Sequence, residues 1–351
     1  MYYYHKNSTD TAPMLLLLLF SLTGALQFQA KAVALPGSSC PESCGDVKIV
    51  YPFGIGAGCA TKGFELHCNK TQDGSTNETF LGNMPLLNIS LLNGEIRVMH
   101  RISSMCYNRS SRGISYRNGG MTLNSPPFTF SEKRNRFTVV GVNTLAYMIG
   151  DTNVLGCWAR SENRTARDGF CQVALTSNMS DYHVHFNNEY NTTKYYTNGS
   201  TRDGAEYCGY AVMMEAAAFH FRTAYLNTTV FWEENTGRVP VILNWVVGNE
   251  TCDAASKKVD SYACHSNNSK CIDSSNGIGY LCNCTDGYDG NPYITDGCKD
   301  IDECAVNVPR PCPGHCTNIP GNYSCPNEKP PSYSGTVVLV VGKQSLSFTF
   351  I

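Results

Sequence analysis

The chain has 351 residues, 18 of them cysteine, with 16% charged residues and a formal net charge of −2. Cysteine this abundant alongside so little charge argues against a cytosolic enzyme and for a secreted protein stapled by disulfides.

At the N-terminus, Met14 to Phe20 is an unbroken apolar run, followed by Ala30-Lys31-Ala32 and Ala32-Val33-Ala34. Both triplets fit a small-x-small cleavage site, so residues 1–34 read as a signal peptide and the mature chain is expected to start near Val33 or Leu35. An uncleaved anchor is the other reading, because Lys6 is the only Lys or Arg in residues 1–13. Thirteen Asn-x-Ser/Thr acceptors follow, at Asn69, Asn77, Asn88, Asn108, Asn163, Asn178, Asn191, Asn198, Asn227, Asn249, Asn267, Asn283 and Asn322. That number is hard to explain in a chain that never enters the secretory route.

Between residues 35 and 251 lie eight cysteines, an even number, so all of them are able to pair. Strand-like runs dominate: Val47 to Tyr51, Glu95 to Met99, Phe128 to Phe130, Phe137 to Val140 and Val239 to Leu243. Turn residues such as Asn93-Gly94 and Asn118-Gly119-Gly120 separate them. One short helix is expected, around Met213 to Phe219. Mostly β, disulfide-rich and multi-module is the expected fold class.

Charge divides this chain. Residues 35–170 hold 14 Lys/Arg against 10 Asp/Glu, and residues 171–351 hold 11 against 18. Arg97, Arg101, Arg109, Arg112, Arg117, Lys133, Arg134 and Arg136 form a basic stretch with Glu132 as the one acid inside it. Such a stretch is either a patch for an anionic partner or a set of solvated strand faces pointing in different directions. His183 and His185 share one face of a strand, but without a third ligand nearby they read as surface histidines.

Further on, Cys252, Cys264, Cys271, Cys282, Cys284 and Cys298 are separated by 11, 6, 10, 1 and 13 residues. This spacing resembles that of an EGF-like module. The resemblance implies the bridges Cys252–Cys271, Cys264–Cys282 and Cys284–Cys298, which spacing alone does not fix, since six cysteines allow 15 pairings.

A wider resemblance runs through Cys40-Pro41-Glu42-Ser43-Cys44-Gly45 and Val47-Lys48-Ile49-Val50-Tyr51-Pro52-Phe53-Gly54, Cys106-Tyr107-Asn108, Cys208-Gly209-Tyr210, Val239 to Trp245, Gly248 to Cys252, Gly287 to Tyr293 and Asp300 to Cys304. In these motifs and their order the chain resembles the ectodomain of plant wall-associated receptor kinases from about Cys40 to Cys325. It implies a galacturonan-binding domain over 35–170, a second cysteine-containing unit over 171–251, an EGF-like module over 252–298 and a truncated calcium-binding EGF-like module over 300–325. Pairing among Cys40, Cys44, Cys59, Cys68, Cys106, Cys157, Cys171 and Cys208 is left open by it. Within the first motif Phe53 reads as structural, whereas Tyr51 is a candidate for stacking on a sugar ring, beside the eight basic residues as polysaccharide-binding candidates.

In the last module the resemblance implies the bridges Cys304–Cys316 and Cys312–Cys325. It also implies calcium as cofactor, held by the side chains of Asp300 and Glu303, the carbonyl of Ile301 and the amide oxygen of Asn318. Tyr323 stands at the aromatic position that packs against the neighbouring module. Residues 326–351 are expected to be an unstructured tail, whose apolar run Val337 to Val341 is too short to span a bilayer.

Neither a kinase catalytic loop nor a nucleophile elbow or paired-carboxylate motif is recognisable, so no enzyme activity is expected. The expected function is extracellular binding of pectin or galacturonan in the plant cell wall, by a chain with no membrane span and no nucleic-acid partner. A decoy or adaptor binding receptor ectodomains through the EGF-like modules, or a fragment of such a receptor located at the plasma membrane, is the alternative.

Overall fold

The computed structural model describes residues 39–71, 74–108, 113–123, 126–160, 169–187, 207–226, 229–275, 278–305, 312, 314–325, 336–341 and 344–349. The signal-peptide reading of residues 1–34 lies outside them, as do Arg109 and Arg112.

Among the described residues up to 250, three large sheets carry the fold, beside the two-stranded pair of Ser43–Cys44 and Val47–Lys48. The largest has seven strands in the order Phe128–Phe130, Arg238–Trp245, Glu95–Arg101, Met84–Ser90, Asn77–Leu81, Glu65–Lys70 and Gly54–Ile55. A five-stranded sheet runs Phe170–Ala174, Asn135–Val140, Tyr207–Glu215, Ser103–Asn108 and Gly113–Arg117. The third runs Gly120–Thr122, Asp181–Phe186, Thr144–Ile149 and Val154–Ala159. Alternation explains most of these strands: Glu95–Arg101 buries Ile96, Val98 and His100 and leaves the residues between them half-exposed. Pro240 is tolerated in Arg238–Trp245 because the second neighbour of that strand, Phe128–Phe130, pairs only with Leu243 to Trp245.

The division at residue 170 is not a division of the fold. Arg238–Trp245 pairs with Glu95–Arg101, and Tyr207–Glu215 lies between Asn135–Val140 and Ser103–Asn108, so the later segment supplies central strands to the earlier one. Asn135 ties two of the sheets together. Its buried side chain donates to the carbonyls of Ser131 (3.0 Å) and Ile242 (2.7 Å) and accepts from the Ile242 amide (2.9 Å), acting as a piece of strand.

Three sequence expectations are corrected here. Met213, Met214 and Glu215 end a strand, and only Ala216–Ala218 turns, as one 3₁₀ turn. Ala211 to Met214 are buried on both faces of a central strand, and that burial overrides the helix preference of Met, Glu and Ala. In the tail, Thr336–Val341 pairs antiparallel with Gln344–Thr349, so its β-branched run forms a hairpin. Of the Val47 to Tyr51 run, only Val47–Lys48 is strand, paired with Ser43–Cys44.

All 18 cysteines are bridged. The first region holds Cys40–Cys59, Cys44–Cys68, Cys106–Cys208 and Cys157–Cys171. Cys252–Cys271, Cys264–Cys282 and Cys284–Cys298 follow, then Cys304–Cys316 and Cys312–Cys325.

The main core closes on aromatic rings. Phe53 meets Phe64 edge-on at 5.0 Å and Trp245 at 5.4 Å, while Phe64 meets Trp245 at 5.6 Å. Tyr293, from the six-cysteine unit 252–298, completes the group at 5.7 Å from Trp245. It is fully buried, and its hydroxyl accepts from the Cys282 amide at 2.8 Å. Asn93-Gly94 makes the facing turn: Gly94 takes φ +60°, and a Cβ there would come within 2.4 Å of Leu281. The unit 252–298 is thus packed into the core of the sheets.

Tyr293 provides the test of this packing. Tyr293→Phe strands the buried Cys282 amide and is expected to cost about 1–3 kcal/mol. Tyr293→Ala also empties the ring site and is expected to cost about 3–5 kcal/mol. Denaturant unfolding of both variants checks the order; equal costs would mean that the ring contributes little to packing.

Candidate functional site

The basic stretch is dispersed by the fold. Arg97 Nε donates to Glu215 Oε2 at 2.7 Å, and Arg134 reaches Glu95 Oε2 at 2.9 Å and Glu215 Oε1 at 3.2 Å. Glu215 is buried, so its two arginines satisfy a carboxylate that water scarcely reaches. Arg136 donates to the backbone carbonyls of Glu132 (3.1 Å) and Asn135 (2.7 Å). Arg117 lies on the five-stranded sheet with its guanidinium 4.7 Å from the centre of the Trp232 ring. Four of the eight basic residues therefore have internal work.

Lys133 and Arg101 are different. Lys133 borders a cavity of about 260 Å³ between Thr129, Ser131, Glu132, Trp245 and Asp273 to Ser275. Arg101, at the end of its strand, faces Arg238 directly across the ladder. Among the described residues neither arginine has an ion pair or a side-chain hydrogen bond. Both border a cavity of about 320 Å³ that is also lined by His100, Met84, Met99 and Met121. Sequence reading missed Arg238, because it belongs to the acidic part of the chain and only strand pairing brings it to Arg101. It missed Glu215 as the counter-ion of Arg97 and Arg134 for the same reason.

Tyr51 is half-buried. Its hydroxyl accepts from Thr61 Oγ1 at 3.0 Å and its carbonyl accepts from Asn291 Nδ2 at 2.8 Å. It borders a cleft of about 440 Å³ with Pro41, Lys48 and Ile294. Phe53 is buried in the aromatic core. His183 and His185 are exposed on their strand, and the described residues contain no group of three or more His, Cys, Asp or Glu placed to hold a metal.

At the C-terminal unit, Asp300 Oδ2 accepts from Asn318 Nδ2 at 2.7 Å, and Asp300 Oδ1 accepts from the Gly321 amide. Glu303 Oε2 is buried without a hydrogen-bond partner among the described residues. The Ile301 amide donates to Gly287 O at 2.9 Å, and its carbonyl accepts from Glu303 N at 3.1 Å. Contact between the two cysteine units runs through Gly287 and Tyr288 against Gly321, where a Cβ on Gly321 would come within 2.8 Å of the Tyr288 ring. Tyr323 remains exposed instead.

His100 is buried beside Arg101, with its ring 5.7 Å from that of Tyr182. Burial first, and then the Arg101 charge, lower its pKa to about 4. The folded value lies below the ordinary 6.5, so the unfolded chain takes the proton first. Stability from this group is complete above pH 6.5 and falls as pH drops towards 4, by up to about 3 kcal/mol. His100→Gln is expected to flatten that part of the profile in urea unfolding at pH 7 and pH 4.5. An unchanged slope would mean that His100 is protonated in the folded protein.

Residues 40–100 match the family described as wall-associated receptor kinase galacturonan-binding. Over most of its length the chain is similar to three proteins of Arabidopsis thaliana. Wall-associated receptor kinase 2 is 33% identical over 83% of this chain and 38% of its own length. Wall-associated receptor kinase 3 is 31% identical over 82% and 39%, and wall-associated receptor kinase-like 6 is 30% identical over 82% and 48%. The chain therefore spans less than half of the length of these relatives. No solved structure matches it, and among the described residues no helix is long and apolar enough to cross a membrane. On these matches residues 40–100 belong to the wall-associated receptor kinase galacturonan-binding family, and most of the chain is similar to a part of each of these wall-associated receptor kinases.

Proposed function

We propose that the chain is a non-catalytic extracellular protein that binds pectin or galacturonan in the plant cell wall. The observation that carries this reading is the match of residues 40–100 to a galacturonan-binding domain, on a fold in which Arg101, Lys133 and Arg238 have no partner carboxylate among the described residues. Galacturonan bears a carboxylate on each sugar, so basic side chains attract it and guanidinium groups bind it with directed hydrogen bonds. Nine disulfides and 13 glycosylation acceptors support an extracellular setting. The cleft beside Tyr51 offers an aromatic contact as a second element of recognition.

A calcium ion at the start of an EGF-like unit 300–325 is the second part of the proposal. Asp300 and Asn318 are in contact, and Glu303 Oε2, buried and without a hydrogen-bond partner among the described residues, is the kind of atom that a cation would satisfy. Ligation by Asn318 would use its amide oxygen and so require the opposite orientation of the amide. The Ile301 carbonyl is the fourth donor. Calcium would tie the two cysteine units together and neutralise the acids there. A second reading, an adaptor that docks on another receptor ectodomain through residues 252–325, is favoured by the exposed Ile319 and Tyr323.

Two measurements test these readings. Surface plasmon resonance should show binding to de-esterified galacturonan that weakens steeply as the Debye length shrinks from about 10 Å at 0.1 M salt to about 3 Å at 1 M. Methyl-esterified polymer should bind poorly, and equal affinity for both polymers would refute carboxylate recognition. Calorimetry should find calcium binding on the order of 10⁻⁴–10⁻³ M, abolished by Glu303→Ala. Identical heats from both proteins would leave the acidic segment as a linker.

A further inference from the structure

Cross-strand neighbours of like charge are destabilising, and strands normally place an opposite charge or a neutral side chain there. Arg101 and Arg238 break that rule: they face one another across the ladder of Glu95–Arg101 and Arg238–Trp245. None of the described residues lining the adjoining cavity is acidic. His100, which also lines it, is neutral near pH 7 and does not add to the charge. Two guanidinium groups on adjacent strands, about 5 Å apart at their Cα atoms, are spaced to share one carboxylate.

The rest of the cavity has the chemistry of a sugar site. Met84, Met99 and Met121 give it an apolar wall, suited to the C–H face of a pyranose ring. Asn83 and Asn118 bring two exposed side-chain amides, each with both a donor and an acceptor for hydroxyl groups. Gly119 and Gly120 lie flat on the neighbouring strands: a Cβ on Gly119 would come within 2.6 Å of Ser103 Oγ, and one on Gly120 within 2.6 Å of Tyr182 O. At about 320 Å³ the cavity falls at the small end of ligand pockets. It is sized for one sugar unit and open enough for a polymer to run across its mouth.

Resting on the galacturonan reading, we infer that Arg101 and Arg238 form a carboxylate subsite that takes a single uronate residue of the polymer. The sugar ring lies against the methionines, its hydroxyls meet Asn83 and Asn118, and its carboxylate relieves the repulsion between the two arginines. Specificity for free over esterified acid follows, because a methyl ester carries no charge to offset two guanidinium groups.

The experiment uses the full chain and polygalacturonate immobilised for surface plasmon resonance, with Arg101→Gln, Arg238→Gln and the charge-matched control Arg222→Gln, whose arginine is held by Glu234. Each of the first two is expected to weaken binding roughly tenfold or more, and the control to bind as the parent does. Sulfate and phosphate at the same charge concentration should compete poorly, since they lack the ring and hydroxyls; competition equal to that of oligogalacturonate would reduce the site to a simple anion trap and overturn the uronate assignment. Thermal unfolding without ligand supplies an independent readout. Arg238→Gln should leave Tm unchanged or raise it, because a like-charged neighbour is removed, and a fall in Tm would show that Arg238 has a structural role. Parent protein that binds no polygalacturonate would overturn the broader reading of the chain's function. Parent binding that persists unchanged in both arginine variants would overturn this subsite alone.

Discussion

The packing of Tyr293 against Trp245 is the contact on which the rest of the structure depends. Eight of the nine disulfides join cysteines no more than 24 residues apart, so they staple local loops. Only Cys106–Cys208, with a separation of 102, crosses a long stretch of chain, and it does so inside one sheet. Cohesion between the sheets and the unit 252–298 comes from buried surface, with the hydrogen bonds of Asn291 to Tyr51 and of Val247 to Tyr280 beside it. Trp245 supplies the largest ring of that surface, as the last residue of its strand, in contact with Phe53, Phe64 and Tyr293. Large rings bury the most area per residue, and edge-on contacts fix their relative orientation.

That packing also settles the electrostatics. Placing Arg238–Trp245 and Tyr207–Glu215 in the middle of sheets begun by earlier residues carries acid and base from the second part of the chain into the first. Glu215 arrives beside Arg97 and Arg134 and takes up two charges that would otherwise face solvent. Arg238 arrives beside Arg101 and concentrates charge where none of the described residues lining the cavity is a carboxylate. The basic character of residues 97–136 is therefore redistributed. Part of it becomes internal support, and part becomes a small site open to an anion.

The three cavities differ in which parts of the fold frame them. The one beside Lys133 lies where the sheets meet the unit 252–298 and the one beside Tyr51 lies at its edge, so both are shaped by how that unit docks. The cavity of Arg101 and Arg238 is framed by strands of two sheets and by the turns at Asn83 and at Asn118-Gly119, and backbone hydrogen bonds of the ladders hold the strand walls. Paired strands keep the Cα atoms of the two arginines at a fixed spacing, which limits where their guanidinium groups reach.

By itself the sequence determined the local structure and the family. Alternation marked Glu95 to Met99, turn residues marked Asn93-Gly94, and the cysteine ladder with its one-residue step at Cys282 and Cys284 marked the compact unit that follows. These features are legible because each depends on neighbours within a few residues. Tertiary structure alone decided the pairing of the first eight cysteines, the strand at Met213 to Glu215, where burial on both faces outweighed helix propensity, and the hairpin of the tail. It also decided which basic residues are left open. Whether an arginine is neutralised depends on what lies across the ladder from it, and Glu215 and Arg238 reach their partners only when distant strands pair, a long-range choice driven by burial that no local pattern in the chain records.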